Sequence, residues 1–148
     1  MSGLTIAKAD LSMVPALMKL STQLGYERTA EEISAQLEKI LAREDHIFLV
    51  ALRGQEVCGW VHFHQVDVLT SPTYVEVAGL VVDQACRKQG VGHALMQAGE
   101  AWAEKRNLEV VRVRSNIKRE GAHTFYEQMG YTCVKQQKTF SKNLPAKP

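Results

Sequence analysis

The spacing of apolar residues changes period repeatedly along this chain, and two of those changes, near His46 and at Gly90, constrain its fold more than any other feature. From Val14 to Leu41 the apolar residues recur at helical intervals, from His46 they alternate, and from Gly90 the helical interval returns. The chain must therefore build a sheet in its middle and cover it with helices from either side. Leu4-Thr5-Ile6-Ala7 reads as a short strand. Asp10-Leu11-Ser12 offers caps for a helix bearing Val14, Leu17, Met18 and Leu24, with Pro15 in its first turn, where no backbone donor is lost. After the turn at Leu24-Gly25-Tyr26, Thr29-Ala30-Glu31-Glu32 has the form of a capping box, and Ile33, Leu37, Ile40 and Leu41 follow at helical spacing.

The alternating region divides at Arg53-Gly54-Gln55-Glu56 and around Ser71-Pro72 into Ile47 to Leu52, Val57 to Val66 and Tyr74 to Val82, the pattern of an antiparallel meander. Val91, Ala94, Leu95, Ala98 and Trp102 then mark a long helix ending near Asn107. Val110, Val111 and Val113 read as a strand. Ala122, Phe125, Tyr126 and Met129 read as a helix face closed by Gly130, and Tyr131 to Phe140 as a last strand. The predicted order is β-α-α-β-β-β-α-β-α-β, an α/β fold with a mixed, mostly antiparallel sheet and helices on both faces. It forms one domain over residues 1–148, of which 141–148 is a loose tail.

At 148 residues, 45% of them hydrophobic, the chain is long enough for one real core and too short for a second domain. Its formal charge of +2 is too small to imply nucleic-acid or membrane binding. The apolar runs fall well below the roughly 20 residues that span a bilayer, and Met1-Ser2-Gly3-Leu4 lacks the basic start of a signal peptide. Cys58, Cys86 and Cys133 are odd in number and lack CxxC spacing, against a disulfide framework or a zinc site. A reducing, cytoplasmic setting fits. His62 and His64 share one face of a strand; two such ligands without a third read as a pocket or sheet-surface pair, so no metal is expected.

Leu80-Val81-Val82-Asp83-Gln84-Ala85-Cys86-Arg87-Lys88-Gln89-Gly90-Val91-Gly92-His93-Ala94-Leu95 carries the chemistry. A strand runs into a basic loop, and two glycines open a helix. Glycine admits close backbone approach, and the free amides of a first helical turn form an anion site. The dipole contributes only about 0.3 to 2 kcal/mol per anion, so tight binding needs several amides together, helped by Arg87 and Lys88. A diphosphate could use such a set; a plain turn with solvated charges is the alternative. No third glycine follows for a dinucleotide fold, and no GK[ST] for a P-loop.

The spacing Arg87-Lys88-Gln89-Gly90-Val91-Gly92 resembles the acetyl-CoA signature Q/R-x-x-G-x-G/A of the GNAT family of N-acetyltransferases. Glu76-Val77-Ala78-Gly79-Leu80-Val81-Val82-Asp83 is similar to the family's fourth strand. Arg114-Ser115-Asn116, Ala122-His123, Phe125-Tyr126 and Gly130-Tyr131 resemble its later motif. The resemblance implies a sheet splayed into a V and acetyl transfer from acetyl-CoA to a primary amine by direct attack in a ternary complex. It places pantetheine on Leu80, Val81 and Val82, pyrophosphate on the segment Arg87, Lys88, Gln89, Gly90, Val91, Gly92, His93 and Ala94, and further cofactor contacts on Asn116 and Phe125. For Asn116 a helix cap is the alternative. A non-catalytic acyl-CoA-binding or ligand-sensing module of the same fold is the rival reading. Dimers are common among such relatives, and no seam in this sequence derives one.

The reaction needs a neutral amine and a leaving thiolate. A lysine-like amine lies about 3.4 pH units above neutrality, so keeping it deprotonated at pH 7 costs roughly 4.6 kcal/mol. Tyr126 matches the family's tyrosine acid, with ordinary helix packing as its alternative. Glu76 is the candidate base: on a regular strand residues 76, 78, 80 and 82 share one face, so its carboxylate would point with Leu80 and Val82 into the cleft. A structural or substrate-orienting carboxylate is the other reading. The acceptor amine, whether small molecule, polyamine, aminoglycoside or protein, has no signature in the sequence.

Overall fold

The computed structural model describes residues 3–115 and 120–146. They form β1 (Leu4–Lys8), α1 (Val14–Gln23), α2 (Ala30–Leu41), β2 (His46–Arg53), β3 (Glu56–Val66), β4 (Tyr74–Val82), α3 (Val91–Lys105), β5 (Val111–Val113) and α4 (Glu120–Gln128). The chain divides into two compact units, residues 1–114 with the whole sheet and α1 to α3, and residues 115–148 with α4.

Local chemistry sets the helix starts. The Thr29 hydroxyl accepts from the Glu32 amide at 3.1 Å while the Glu32 carboxylate accepts from the Thr29 amide at 2.9 Å, so two orphan donors at the head of α2 are satisfied reciprocally. Pro15 occupies the first turn of α1.

The strands lie in the order β1-β2-β3-β4-β5. The first four pair antiparallel, and β5 joins β4 in parallel at Val75, Val77 and the residue between them only. Among the described residues β4 has no β5 partner beyond Val77, so the sheet opens there. One face packs under α1 and α2, where Ala9, Val14, Leu17, Leu37, Phe48 and Val50 are buried together with Trp60 against them. On the other face α3 brings the fully buried Leu95 and Met96 to the sheet. Gly99 of α3 lies so close to Phe63 that a Cβ there would come within 2.0 Å of the ring.

Two expectations are corrected. Residues 131–146 hold no strand. A strand needs a partner backbone and a face to bury, and the four consecutive polar residues 135–138 supply none; Val134 and Phe140 stand 75% and 88% exposed. Second, the parity of β4 breaks. Val77 pairs with Phe63 and Gly79 with His62, leaving Ala78 as a bulge. Glu76 therefore shares the α1/α2 face with Gly79 and the strand's histidine neighbours, while Leu80 and Val82, opposite Val61 and Gly59, follow the α3 face. Glu76 and Leu80 do not share a face as regular alternation predicts.

Candidate active site

Beyond Val82 the chain turns sharply. Asp83 accepts from the Ala85 amide at 3.0 Å and from Gln23 Nε2 at 3.2 Å, and Gln23 Oε1 accepts from the Gln84 amide at 3.0 Å. The Ala85 amide first, and then Gln23, hold the Asp83 carboxyl below its usual range. Residues Gln84–Cys86 form one 3-10 turn, and the next residues reverse the backbone by left-handed conformations at Lys88, φ 63°, and Gly90, φ 81°. Only glycine adopts such angles without cost, so Gly90 is suited to its place and Lys88 is strained there.

No side chain caps α3, and the Ala94 amide is the first to find a helical carbonyl, that of Gly90 at 3.0 Å. The amides at the head of α3 therefore project free beside the exposed Arg87 and Lys88. The Gln89 side chain instead accepts from Arg53 and fixes the loop to the end of β2. The Cys86 thiol, next to this cradle, is pushed up to about 11 by burial first and then by the Cys58 thiol, so it stays protonated at neutral pH.

Where β4 parts from β5, four side chains stand in one row across four strands: His46, His64, Glu76 and Arg112. Glu76 Oε1 lies 3.2 Å from Arg114 Nε, and its Oε2 lies 3.5 Å from His64 Nε2. His46 stacks on His64 with ring centroids 5.0 Å apart, and its Nδ1 is 2.9 Å from His62 Nε2. The Arg112 guanidinium lies over the Tyr74 ring at 4.4 Å. Burial, followed by the neighbouring His46 and His64, pushes His62 down to about 4, and burial followed by His64 lowers His46. Both are neutral at pH 7. Among the described residues no three His, Cys, Asp or Glu side chains are placed to hold a metal.

A cavity of about 180 Å³ lies between α1, α2 and this face, lined by Leu17, Ser21, Arg28, Ile33, Phe48 and Trp60 among others. Trp60, which lines this cavity, also packs against Gly79 of β4, where a Cβ would meet its ring at 2.8 Å. A larger one, about 360 Å³, reaches His46 but none of the cradle residues or Glu76.

In the second unit, Phe125 and Tyr126 meet edge to face at 5.2 Å, and Tyr126 and Tyr131 at 5.9 Å. Gly130, φ 93°, ends α4, and the Tyr131 amide returns to the Tyr126 carbonyl at 3.0 Å. Asn116 lies outside the described residues. The structure thus brings Glu76 together with His64, His46 and Arg114, a grouping missed in the sequence: alternation assigns a face to each residue, but only the register shows which residues share a row.

An opened mixed sheet whose fourth strand leads into an amide cradle is the arrangement that the resemblance to N-acetyltransferases implies, and the family comparison agrees. The model of the acetyltransferase (GNAT) family matches residues 14–131. The chain belongs to that family. It is 28% identical over 137 residues to YhdJ, an uncharacterized N-acetyltransferase of Bacillus subtilis, covering 89% of this chain and 91% of that one. An aminoalkylphosphonate N-acetyltransferase of Salmonella typhimurium is 32% identical over 113 residues, 76% of this chain and 71% of its own. Among solved structures, a transcriptional regulator from Bacillus halodurans superposes with a TM-score of 0.86 at 20% identity, covering 94% of this chain and 99% of that one. That last likeness concerns the fold.

Proposed function

We propose that the protein transfers acetyl from acetyl-CoA to a primary amine, by direct attack of the amine within a ternary complex. The observation that carries this reading is the continuity of the β4 edge, which among the described residues has no partner from β5 beyond Val77, with the amides that open α3. An extended amide chain adds to a strand edge as another strand would, and a diphosphate seats on helix-start amides. Backbone groups of Leu80, Val81 and Val82 fit the first part, and the segment from Arg87 to Ala94 the second. Acetyl-CoA supplies an activated thioester. What remains for the protein is to orient the amine, take its proton and return one to the leaving thiolate.

Glu76 beside the strand opening is the first group on the path of the amine's proton, and Tyr126 is the acid for the thiolate. The roles of Tyr126, Phe125 and Asn116 rest on the family motif. For the acceptor, the aminoalkylphosphonate relative directs attention to small primary amines that carry an acidic group. Arg112 and Arg114 near Glu76 are cations of the kind such a group would seek. Among the described residues no helix is long and apolar enough to cross a membrane, and Cys58, Cys86 and Cys133 are free thiols, which fits work in a reducing cytoplasm.

A thiol-release screen tests the proposal. Acetyl-CoA with a panel containing 2-aminoethylphosphonate, spermidine, free amino acids and sisomicin should yield free thiol with at least one amine, well above the rate without amine. Binding of acetyl-CoA without thiol release from any panel member would favour the ligand-sensing alternative.

A further inference from the structure

We propose that the His64 imidazole is the group that takes the amine's proton on to solvent, with Glu76, clamped by Arg114, as its counter-ion. The proposal rests on the acetyltransferase reading above and names the proton path that reading requires. Its geometry is the row across β2 to β5. Glu76 offers two carboxylate oxygens, of which Oε1 faces Arg114 Nε at 3.2 Å and Oε2 faces His64 Nε2 at 3.5 Å. A carboxylate so shared is well placed to hold an ammonium and to balance an imidazolium beside it. Of the two side-chain types, imidazole ionises nearer to neutral pH, with reference values of about 6.5 and 4.3, and a base matched to the working pH transfers protons most efficiently.

The other histidines are less suited. His46 and His62 share a contact of 2.9 Å with each other, His62 is the more deeply set, and both hold a proton less readily than a free imidazole. His64 is the imidazole of the three that faces Glu76, and its side chain is 24% exposed, enough to hand a proton to water. The charged and titratable groups around it are His46 on β2 with Asp45 and Arg43 beyond it, His62 on β3, Glu76 on β4, and Arg112 and Arg114 on and after β5. In the step itself an N–H bond of the ammonium breaks, its electron pair staying on the amine nitrogen. An O–H bond forms first at Glu76 Oε2 and then breaks as an N–H bond forms at His64 Nε2, which faces it, with Nδ1 already carrying its proton. The imidazolium, balanced by Glu76, then releases the proton to water, and the neutral amine attacks the thioester carbonyl.

The test uses the full chain, acetyl-CoA and whichever of 2-aminoethylphosphonate, spermidine or sisomicin the wild type acetylates. H64Q should lower kcat/KM at neutral pH by about tenfold or more, the lower reach of general-base effects, with the KM for acetyl-CoA unchanged. The deficit should shrink at alkaline pH, where more of the amine is already neutral. H64A should regain activity with added imidazole in proportion to its free base, which also shows that the variant is folded. Wild-type kcat/KM and pH profile in H64Q would overturn the proposal while leaving the acetyltransferase reading intact. A loss in H64A that is equal at every pH and insensitive to imidazole would overturn it in favour of a positioning role. Absence of thiol release by the wild type with every amine would overturn the underlying reading, and this proposal with it.

Discussion

The left-handed backbone at Lys88 and Gly90 turns the chain so that the head of α3 stays open, and Gly92 sits within that first turn. A ligand that binds only the folded state at a hundredfold excess over its Kd stabilises by about 2.7 kcal/mol, a rise in Tm of roughly 5 to 10 °C for a chain of this size. Acetyl-CoA should produce such a rise in the wild type. Gly92→Val, which fills the space of close backbone approach, should remove it while leaving a cooperative melt. An undiminished shift in a folded Gly92→Val protein would place the diphosphate elsewhere. Tyr126 stands against Phe125 and Tyr131, and loss of its hydroxyl keeps that aromatic packing. If the hydroxyl protonates the thiolate, Tyr126→Phe should lower kcat by about 10² or more with acetyl-CoA binding retained. Wild-type turnover in steady-state assays would return Tyr126 to packing alone.

Elements differ in how plainly the sequence announces them. The capping box at Thr29 and Glu32, Pro15 at the head of α1 and the break at Gly90 are local chemistry, and each appears where the residues predict it. The bulge at Ala78 is not local. One extra residue leaves Val75, Val77 and the later valines of β4 looking like an unbroken alternation, and only pairing with Phe63 and His62 reveals the slip. The same dependence on register hid the row from His46 to Arg112. Tyr131 to Phe140 fails for the opposite reason, since strand-like residues do not make a strand without a partner. At the contact between α3 and β3 the packing gives a sharper expectation. Gly99→Ala would set a methyl within 2.0 Å of the Phe63 ring, so overpacking should cost about 1 to 3 kcal/mol. Urea unfolding should show the loss with an unchanged m-value, and full stability would mean that Phe63 moves freely.

At the scale of the whole molecule, the histidine cluster links stability to pH. His62 is held at about 4 against an ordinary value of 6.5, mainly by burial. A depressed value means that the unfolded chain binds the proton first. The contribution of His62 is therefore complete above pH 6.5 and declines as pH falls toward 4, by at most about 3 kcal/mol. Denaturant midpoints should drop across that window and less steeply in His62→Gln; parallel slopes in the two proteins would contradict the assignment.

The match to the GNAT family spans residues 14–131 and so takes in both compact units, although their roles are legible to different degrees. The cradle and Glu76 gain geometry from the first unit, and Tyr126 is known by its motif. The central claim is that acetyl leaves CoA and arrives on an amine without stopping on the protein. The most direct measurement follows free thiol, N-acetylated amine and intact protein mass in one reaction. Thiol and acetylated amine should rise together in equal amounts while the protein mass stays constant. Thiol released without acetylated amine, or an acetyl group accumulating on the protein before the amine is added, would contradict it.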